Sequence, residues 1–187
     1  MFHALATLTF VSLYAAYRTD LDPAQLSERC PASPVYGPGW LTGWRLTFAA
    51  NDRDDLGVTD LVADLVADLD ADLAVGLGPT LDGELPGALA TVVQDPGSSV
   101  FVMLFDVNEA DRTALQIWEG EHYRTVKVRV ETLTGSVMAW TFVYDGYEGG
   151  LPTASYLGLL SAAAEEAGAP DDYVRALRNR PCRSNPS

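Results

Sequence analysis

Glu119 is an acidic residue at a predicted helix C-terminus, a position that disfavours a negative charge. Glu119 lies in the stretch ALQIWEGEHY, residues 114–123, between a tryptophan and a glycine typical of a helix end. A helix C-terminus already presents partial negative charge, which raises the pKa of a carboxylic acid placed there. An apolar neighbour such as Trp118 would raise that pKa further by desolvation. Glu119 is therefore a candidate general acid/base, with an ordinary surface glutamate as the alternative.

Other catalytic groups lack the sequence patterns that usually accompany them. Neither Cys30 nor Cys182 has a histidine nearby in sequence, and no serine stands in a nucleophile-elbow motif. Glycine patterns that bind phosphates or dinucleotides are missing as well. His122 lies close enough to Glu119 to share its site, but a surface histidine is the simpler interpretation. The sequence thus predicts neither a cofactor nor a metal site.

A repeated acidic segment spans residues 51–86. Its core, VTDLVADLVADLDADL, repeats every four residues, which on a helix sets a column of aspartates beside a column of leucines. Like charges four residues apart weaken a helix, so we expect this segment to be a partly docked, solvated insertion. Calcium binding is the alternative, although the glycine and terminal glutamate of a helix-loop-helix calcium site are missing.

Composition limits the class of protein and the class of partner. The 187 residues, 48% of them hydrophobic, fit a single domain, and a net charge of −14 argues against partners such as nucleic acid or an anionic membrane. A small-molecule partner fits better, and a homodimer stays open. The apolar N-terminus MFHALATLTFVSLYAAY lacks the positive charge that begins a signal peptide, so we expect a first strand and a cytoplasmic protein.

Secondary-structure signals predict an α+β fold. Asp22 and Pro23 indicate the start of a short helix, and Asn108 with Asp111 indicates the start of a second helix that Gly120 would end. A QDPGSS turn predicts a hairpin within ALATVVQDPGSSVFVMLFDV, and LTGS predicts another between YRTVKVRVET and VMAWTFVYD. The segments TASYLGLLSAAAEEAG and DDYVRALRNR read as closing helices. Strands and helices that do not alternate strictly are typical of α+β proteins.

Three stretches resemble the γ-glutamylcyclotransferase family: SLYAAYRTDL, WEG, and DGYEGGLPTASYLGLL. In that family a first strand runs into a Tyr-Gly-Ser-Asn-type loop, a Glu-Gly ends a helix, and a tyrosine follows a proline-containing linker. The resemblance covers residues 9–50 and 87–182, and the acidic insertion has no counterpart in it. It implies one domain over residues 1–187, a small mixed β-barrel with flanking helices.

The resemblance also implies an activity. Such enzymes release 5-oxoproline from a γ-glutamyl amino acid or amine when the substrate's α-amine attacks its own γ-carbonyl, and Glu119 matches their acid/base position. The implied substrate-binding residues are Tyr14, Tyr17, Arg18, Thr19, Asp20, Leu21 and Tyr156. Tyr147 also matches the tyrosine spacing. Since Tyr14 and Tyr17 are three positions apart, strand geometry would place them on opposite faces, so we expect at most one beside the substrate.

Arg18 departs from the family pattern, because a glycine is expected there. Glycine tolerates positive φ and close approach of a ligand to the backbone, whereas arginine does not. Arg18 either binds the substrate's α-carboxylate or fills the pocket. The second alternative would make the chain a catalytically inactive relative that binds a ligand or partner.

Overall fold

The computed structural model describes residues 12–50, 88–119 and 123–183. The predictions for residues 1–11 of the apolar N-terminal stretch, His122, Gly120 and the acidic insertion at 51–86 lie outside these residues, whereas Ser12–Ala16 forms the predicted first strand. Within them, no helix combines the length and apolar character needed to cross a membrane.

Five strands close into a barrel. They are β1 (Ser12–Ala16), β2 (Val35–Ala50), β3 (Ala88–Val107), β4 (Tyr123–Thr132) and β5 (Gly135–Tyr144), and a short β6 (Tyr147–Glu148) joins the edge of β2. The neighbours run β3-β1-β5-β4-β2, and β2 pairs again with β3 to complete the ring. Most pairs are antiparallel, but β1 lies parallel to β5 at Tyr14 and Trp140. Because closure leaves few free strand edges, the barrel is a rigid support for the loops at its ends.

The hairpin predicted around QDPGSS is wrong. Residues 88–107 form one strand, and the runs on both sides of the turn residues pair with β2 rather than with each other. The register shifts between Thr42 and Trp44, opposite Ser99 and Gln94. There Asp95 accepts hydrogen bonds from the Gly97 amide at 3.2 Å and the Ser98 hydroxyl at 2.9 Å. The turn residues therefore form a local bulge that bends a long strand without reversing it.

Helix starts agree with the sequence signals. Helix α1 (Pro23–Arg29) has Asp22 as its cap, whose carboxylate accepts the Ala24 amide at 2.9 Å. Helix α2 (Glu109–Glu119) begins after Asn108, whose side chain accepts the Asp111 amide at 2.9 Å and donates to the Asp111 carboxylate at 3.1 Å. These contacts satisfy amides that the first turn of a helix leaves unpaired. They fix where α2 begins and so where Glu119 lies.

The second predicted hairpin and the closing helices are confirmed. Strands β4 and β5 pair antiparallel over their full length, from Tyr123 opposite Tyr144 to Thr132 opposite Gly135. In β4, Val128 and Val130 are buried while Lys127 and Arg129 are exposed, the alternation of a sheet with one wet face. Helices α3 (Ala154–Glu166) and α4 (Asp171–Arg178) follow.

One hydrophobic core joins the barrel to the helices. Its buried members come from the five barrel strands and from the helices that pack on them, and they include Leu41, Val92, Leu104, Leu115, Val130, Phe142, Leu160 and Leu177. The α+β class and the small barrel with flanking helices are therefore confirmed.

Candidate active site

The loop after β1 forms a tight turn at the end of the barrel. Thr19–Leu21 is a single turn of 3₁₀-helix, closed by the Leu21 amide donating to the Arg18 carbonyl at 3.0 Å. Arg18 itself has φ −108° and ψ −145°, so its φ is negative and lies outside the left-handed range that favours glycine. The conformational freedom of a glycine is therefore not needed at this position. Arg18, Thr19, Asp20 and Leu21 are all buried.

Helix α2 brings Glu119 to this loop. Glu119 is 7% exposed although it lies in the last turn of the helix, and the Arg18 guanidinium donates from Nη2 to its Oε1. Arg18 is equally buried, at 7% exposed. A buried ion pair between residues 101 positions apart in sequence fixes both side chains relative to the barrel end. Glu119 is therefore a buried residue and not a frayed surface glutamate.

Asp20 supplies a second buried carboxylate. It accepts the Tyr14 hydroxyl from β1 and the Arg18 amide at 3.1 Å, and it is 1% exposed. Tyr14 stacks on Trp140 with ring centroids 4.7 Å apart, so the aromatic core of the barrel holds it in place. The chain thus couples the loop conformation to the core through one tyrosine.

Aromatic rings surround the guanidinium of Arg18. Its central carbon lies 4.5 Å from the ring centroid of Tyr123 at the start of β4, and 5.7 Å from that of Tyr17. Such contacts stabilise a cation in a site largely shielded from water. The Tyr17 hydroxyl donates to the Phe142 carbonyl at 2.8 Å, which anchors that ring to β5.

The surroundings of Glu119 raise the pKa of its carboxyl. Burial raises the pKa of its carboxyl, Arg18 acts in the opposite direction, and Asp20 raises the pKa again, for a net increase. Burial also raises the pKa of Tyr14 well above its usual value, with Asp20 adding to the effect. Tyr14 is therefore a neutral hydrogen-bond donor, whereas the raised pKa of Glu119 suits it to accepting and returning a proton.

The Trp118 ring lies 4.1 Å from the guanidinium carbon of Arg29 in α1 and packs against that residue. Burial is the largest cause of the raised pKa of Glu119, in the direction that the sequence argument predicts.

Both tyrosines of the first strand reach the cluster, contrary to expectation. Strand β1 ends at Ala16, so strand alternation no longer governs Tyr17. Tyr156 lies at the edge of the cluster, where its hydroxyl accepts the Ala90 amide at 3.3 Å. The side chain of Tyr147 lies outside the described part of the chain.

Sequence reasoning missed Tyr123. It begins β4 four positions after Glu119, but no motif separates it from an ordinary strand aromatic. Its proximity to Arg18 arises from barrel closure, which a linear pattern does not report.

The described residues were also compared with the requirements of a metal site and of a reactive thiol. In residues 12–50, 88–119 and 123–183, no three of His, Cys, Asp and Glu are grouped to hold a metal ion. Cys30 and Cys182 are both free thiols. Burial raises the pKa of Cys30 to about 11, which makes it unreactive at neutral pH.

This barrel has the fold of γ-glutamylcyclotransferase-like proteins. It matches a solved γ-glutamyl cyclotransferase with a TM-score of 0.69 at 20% identity, over 94% of this chain and 92% of that chain. An uncharacterized human protein matches with a TM-score of 0.70 at 20% identity, over 94% and 90% of the two chains. Identities this low establish the shared fold alone.

Sequence comparisons lead to the same family. The AIG2-like family matches residues 99–177. The γ-glutamylcyclotransferases of Mus musculus and Homo sapiens are 26% and 27% identical over 96 residues, which is 49% of this chain. The matched region spans about half the length of these curated relatives, 51% in each case. Together with the fold, these matches confirm the resemblance to a γ-glutamylcyclotransferase-like family.

Proposed function

We propose that this chain is a cyclotransferase that releases 5-oxoproline from a γ-glutamyl amino acid or amine. The observation that carries the proposal is the buried carboxyl of Glu119, fixed at the barrel end beside a loop that contains Tyr17, Arg18 and Asp20. The relatives that match half of the chain bear the same activity in their names.

In the proposed reaction, the enzyme moves protons and holds one rotamer of the substrate. The Glu119 carboxylate accepts a proton from the substrate α-ammonium, and the resulting amine nitrogen attacks the γ-carbonyl carbon. The tetrahedral intermediate then breaks its bond to the departing nitrogen, which takes that proton from Glu119. The Glu119 carboxylate next accepts the second proton of the attacking nitrogen and passes it to the free amine, so that the lactam nitrogen keeps one hydrogen and the amine leaves as an ammonium group. Both reacting groups belong to one molecule, so correct positioning supplies much of the rate enhancement.

A second function is supported by the same ion pair. Arg18 occupies Glu119 directly, and a chain in which this pair never opens would be a catalytically inactive relative that binds a ligand or partner. A buried pair can be kept for structural reasons alone.

An assay for 5-oxoproline decides between these functions. The purified full-length chain is incubated with a panel of γ-glutamyl dipeptides, γ-glutamyl amines and glutathione, beside a folded Glu119→Gln variant. Release by the parent and its loss in the variant is the expected result. Absence of 5-oxoproline from every substrate, with the fold verified by circular dichroism, would favour the inactive relative.

A further inference from the structure

Arg18 combines burial with an unused donor. Its Nε has no hydrogen-bond partner among the described residues, although the side chain is more than nine-tenths buried. The Tyr123 ring packs against the same guanidinium, and its side chain also interacts with Arg18 through a hydrogen bond. Buried donors are almost always satisfied in folded proteins. The unsatisfied Nε of Arg18 is therefore available to an acceptor atom of a ligand.

The charges of the cluster indicate what kind of ligand fits. Arg18 contributes one positive charge, while Asp20 and an ionised Glu119 contribute two negative charges. An uncompensated charge in such a site costs several kcal/mol. A ligand with adjacent ammonium and carboxylate groups adds no net charge. Its carboxylate can pair with Arg18 while its ammonium pairs with Glu119.

We propose that Arg18 is the receptor for the substrate's α-carboxylate, and that binding transfers its guanidinium from Glu119 to that carboxylate. Glu119, released from its ion pair, then lies against the substrate α-ammonium as a proton acceptor. This inference rests on the proposed function, and it assigns the specificity for a free α-carboxylate to one residue.

The exchange keeps every buried charge paired in both states. Without substrate, Arg18 pairs with Glu119. With substrate, two new pairs replace it, one at the carboxylate and one at the ammonium. The rings of Tyr123 and Tyr17 lie 4.5 Å and 5.7 Å from the guanidinium carbon while Arg18 is paired with Glu119. A ligand that lacks either charge would leave a buried group unpaired and should bind weakly.

Other charged or titratable groups lie around Glu119 on every neighbouring element: Arg18, Asp20 and Tyr17 in the loop, Tyr14 on β1, Arg29 on α1, Tyr123 on β4 and Tyr156 on α3. Among the described residues, Arg18 is the one that donates a hydrogen bond to its carboxylate. Removal of Arg18 should therefore alter substrate selectivity in a way that the other groups do not compensate.

The test compares two probes that differ in one charge. One is γ-glutamyl-alanine, and in the other the α-carboxylate of the glutamyl residue is replaced by a carboxamide. Alanine release is measured for the full-length parent, for Arg18→Met, for Arg18→Lys and for Arg129→Met. Arg129 is an exposed arginine of β4 far from the loop in sequence and serves as the matched control. The parent and Arg129→Met should have a KM about 10- to 100-fold lower for the carboxylate probe than for the carboxamide. Arg18→Met should lose this preference, and Arg18→Lys should regain part of it.

A purely structural role for Arg18 would lower the activity on both probes in proportion and leave their ratio unchanged, which would overturn the proposal. Should Arg18→Met fail to fold, the parent still tests the proposal through competitive inhibition by 4-aminobutanoyl-alanine. This compound keeps the amine but lacks the carboxylate that γ-glutamyl-alanine carries beside it, so it should bind much more weakly. Inhibition as strong as the binding of γ-glutamyl-alanine would contradict a carboxylate receptor.

Binding measured by calorimetry separates this inference from the proposed function. Carboxylate-selective binding without 5-oxoproline would support Arg18 as receptor and reject the cyclotransferase. Turnover without carboxylate selectivity would support the cyclotransferase and reject Arg18 as the carboxylate receptor. No binding of either probe would reject both proposals.

Discussion

At the scale of single residues, the environment of Glu119 is what separates it from the other glutamates in the described part of the chain. It is buried at a helix end and bonded to a buried arginine, whereas Glu109 and Glu131 are exposed. The sequence indicated its chemistry because a carboxylate at a helix C-terminus is unfavourable without a reason. Its ion pair with Arg18 could not be predicted, because a contact over 101 positions depends on the closed barrel.

Replacing Glu119 by glutamine should lower kcat/KM by about 10²- to 10⁴-fold, the range for a general acid–base group. The amide keeps the size of the side chain but cannot exchange the proton. Because glutamine is neutral and keeps an acceptor oxygen for the Arg18 guanidinium, and because folding raises the pKa of Glu119, the free energy of unfolding should change little. Kinetics are measured at a temperature where circular dichroism shows the variant folded.

Glu109→Gln is the matched control, since the same change at the exposed start of α2 should leave kcat/KM unaltered. Turnover retained in a folded Glu119→Gln variant would remove Glu119 from the mechanism.

The pH dependence of kcat/KM should reflect the raised pKa of Glu119. A general base must be ionised, so the rate should fall as pH drops through a value above the ordinary glutamate pKa of about 4.3. The free energy of unfolding depends on pH in the opposite direction to kcat/KM. The folded state holds this proton more tightly than the unfolded state, so the contribution of Glu119 to stability is full at low pH and decreases as pH rises through the raised pKa. An acidic limb at or below the ordinary value would contradict a desolvated base.

At the scale of elements, local signals predicted helix starts well and failed where one strand continued through a turn. The Asp22 and Asn108 caps were predicted because a side chain within three residues satisfies the first amides. The QDPGSS residues form the turn that they favour, yet β2 pairs with the runs on both sides of it. Turn-forming residues predict only the local backbone conformation, whereas the pairing partner of a strand depends on the whole sheet.

The pairing of β2 with β3 predicts that the acidic segment can be shortened. Ala50 and Ala88, the ends of these strands, are paired opposite each other, so a short turn can join them. Replacing residues 54–84 by a Gly/Ser linker should leave a folded protein, because closure entropy changes slowly with loop length. Circular dichroism and thermal unfolding measure the outcome. An insoluble or molten product would show that the segment belongs to the core.

At the scale of the whole molecule, barrel closure places the loop after β1, the end of α2 and the start of β4 around one charged cluster. Closure depends on a close approach of β2 to β4 near Trp40 and Glu131. A Cβ on Gly39 would lie 2.5 Å from the Val130 Cγ1 and 3.0 Å from the Glu131 carbonyl oxygen. The α+β class followed from the sequence, but this contact did not, because the two segments are about 90 residues apart.

Gly39→Ala should therefore lower the free energy of unfolding by about 1–3 kcal/mol, the usual cost of an overpacked core. Val130 is buried and β-branched, so it has little freedom to yield. Gly158→Ala is the control, because that glycine is exposed in α3 with nothing within 4 Å of an added Cβ. The control should gain about 0.5–1 kcal/mol. Urea unfolding compares the two, and equal shifts would contradict a tight β2–β4 contact.

The identity of the products tests the central claim most directly. Incubation of the full-length protein with a γ-glutamyl dipeptide, followed by chromatography of the mixture, should yield 5-oxoproline and the free amino acid in equal amounts. Intramolecular attack requires this stoichiometry, because the α-amine of the substrate displaces the amino acid and no water is consumed. Release of glutamate in place of 5-oxoproline would show hydrolysis and contradict the cyclotransferase assignment.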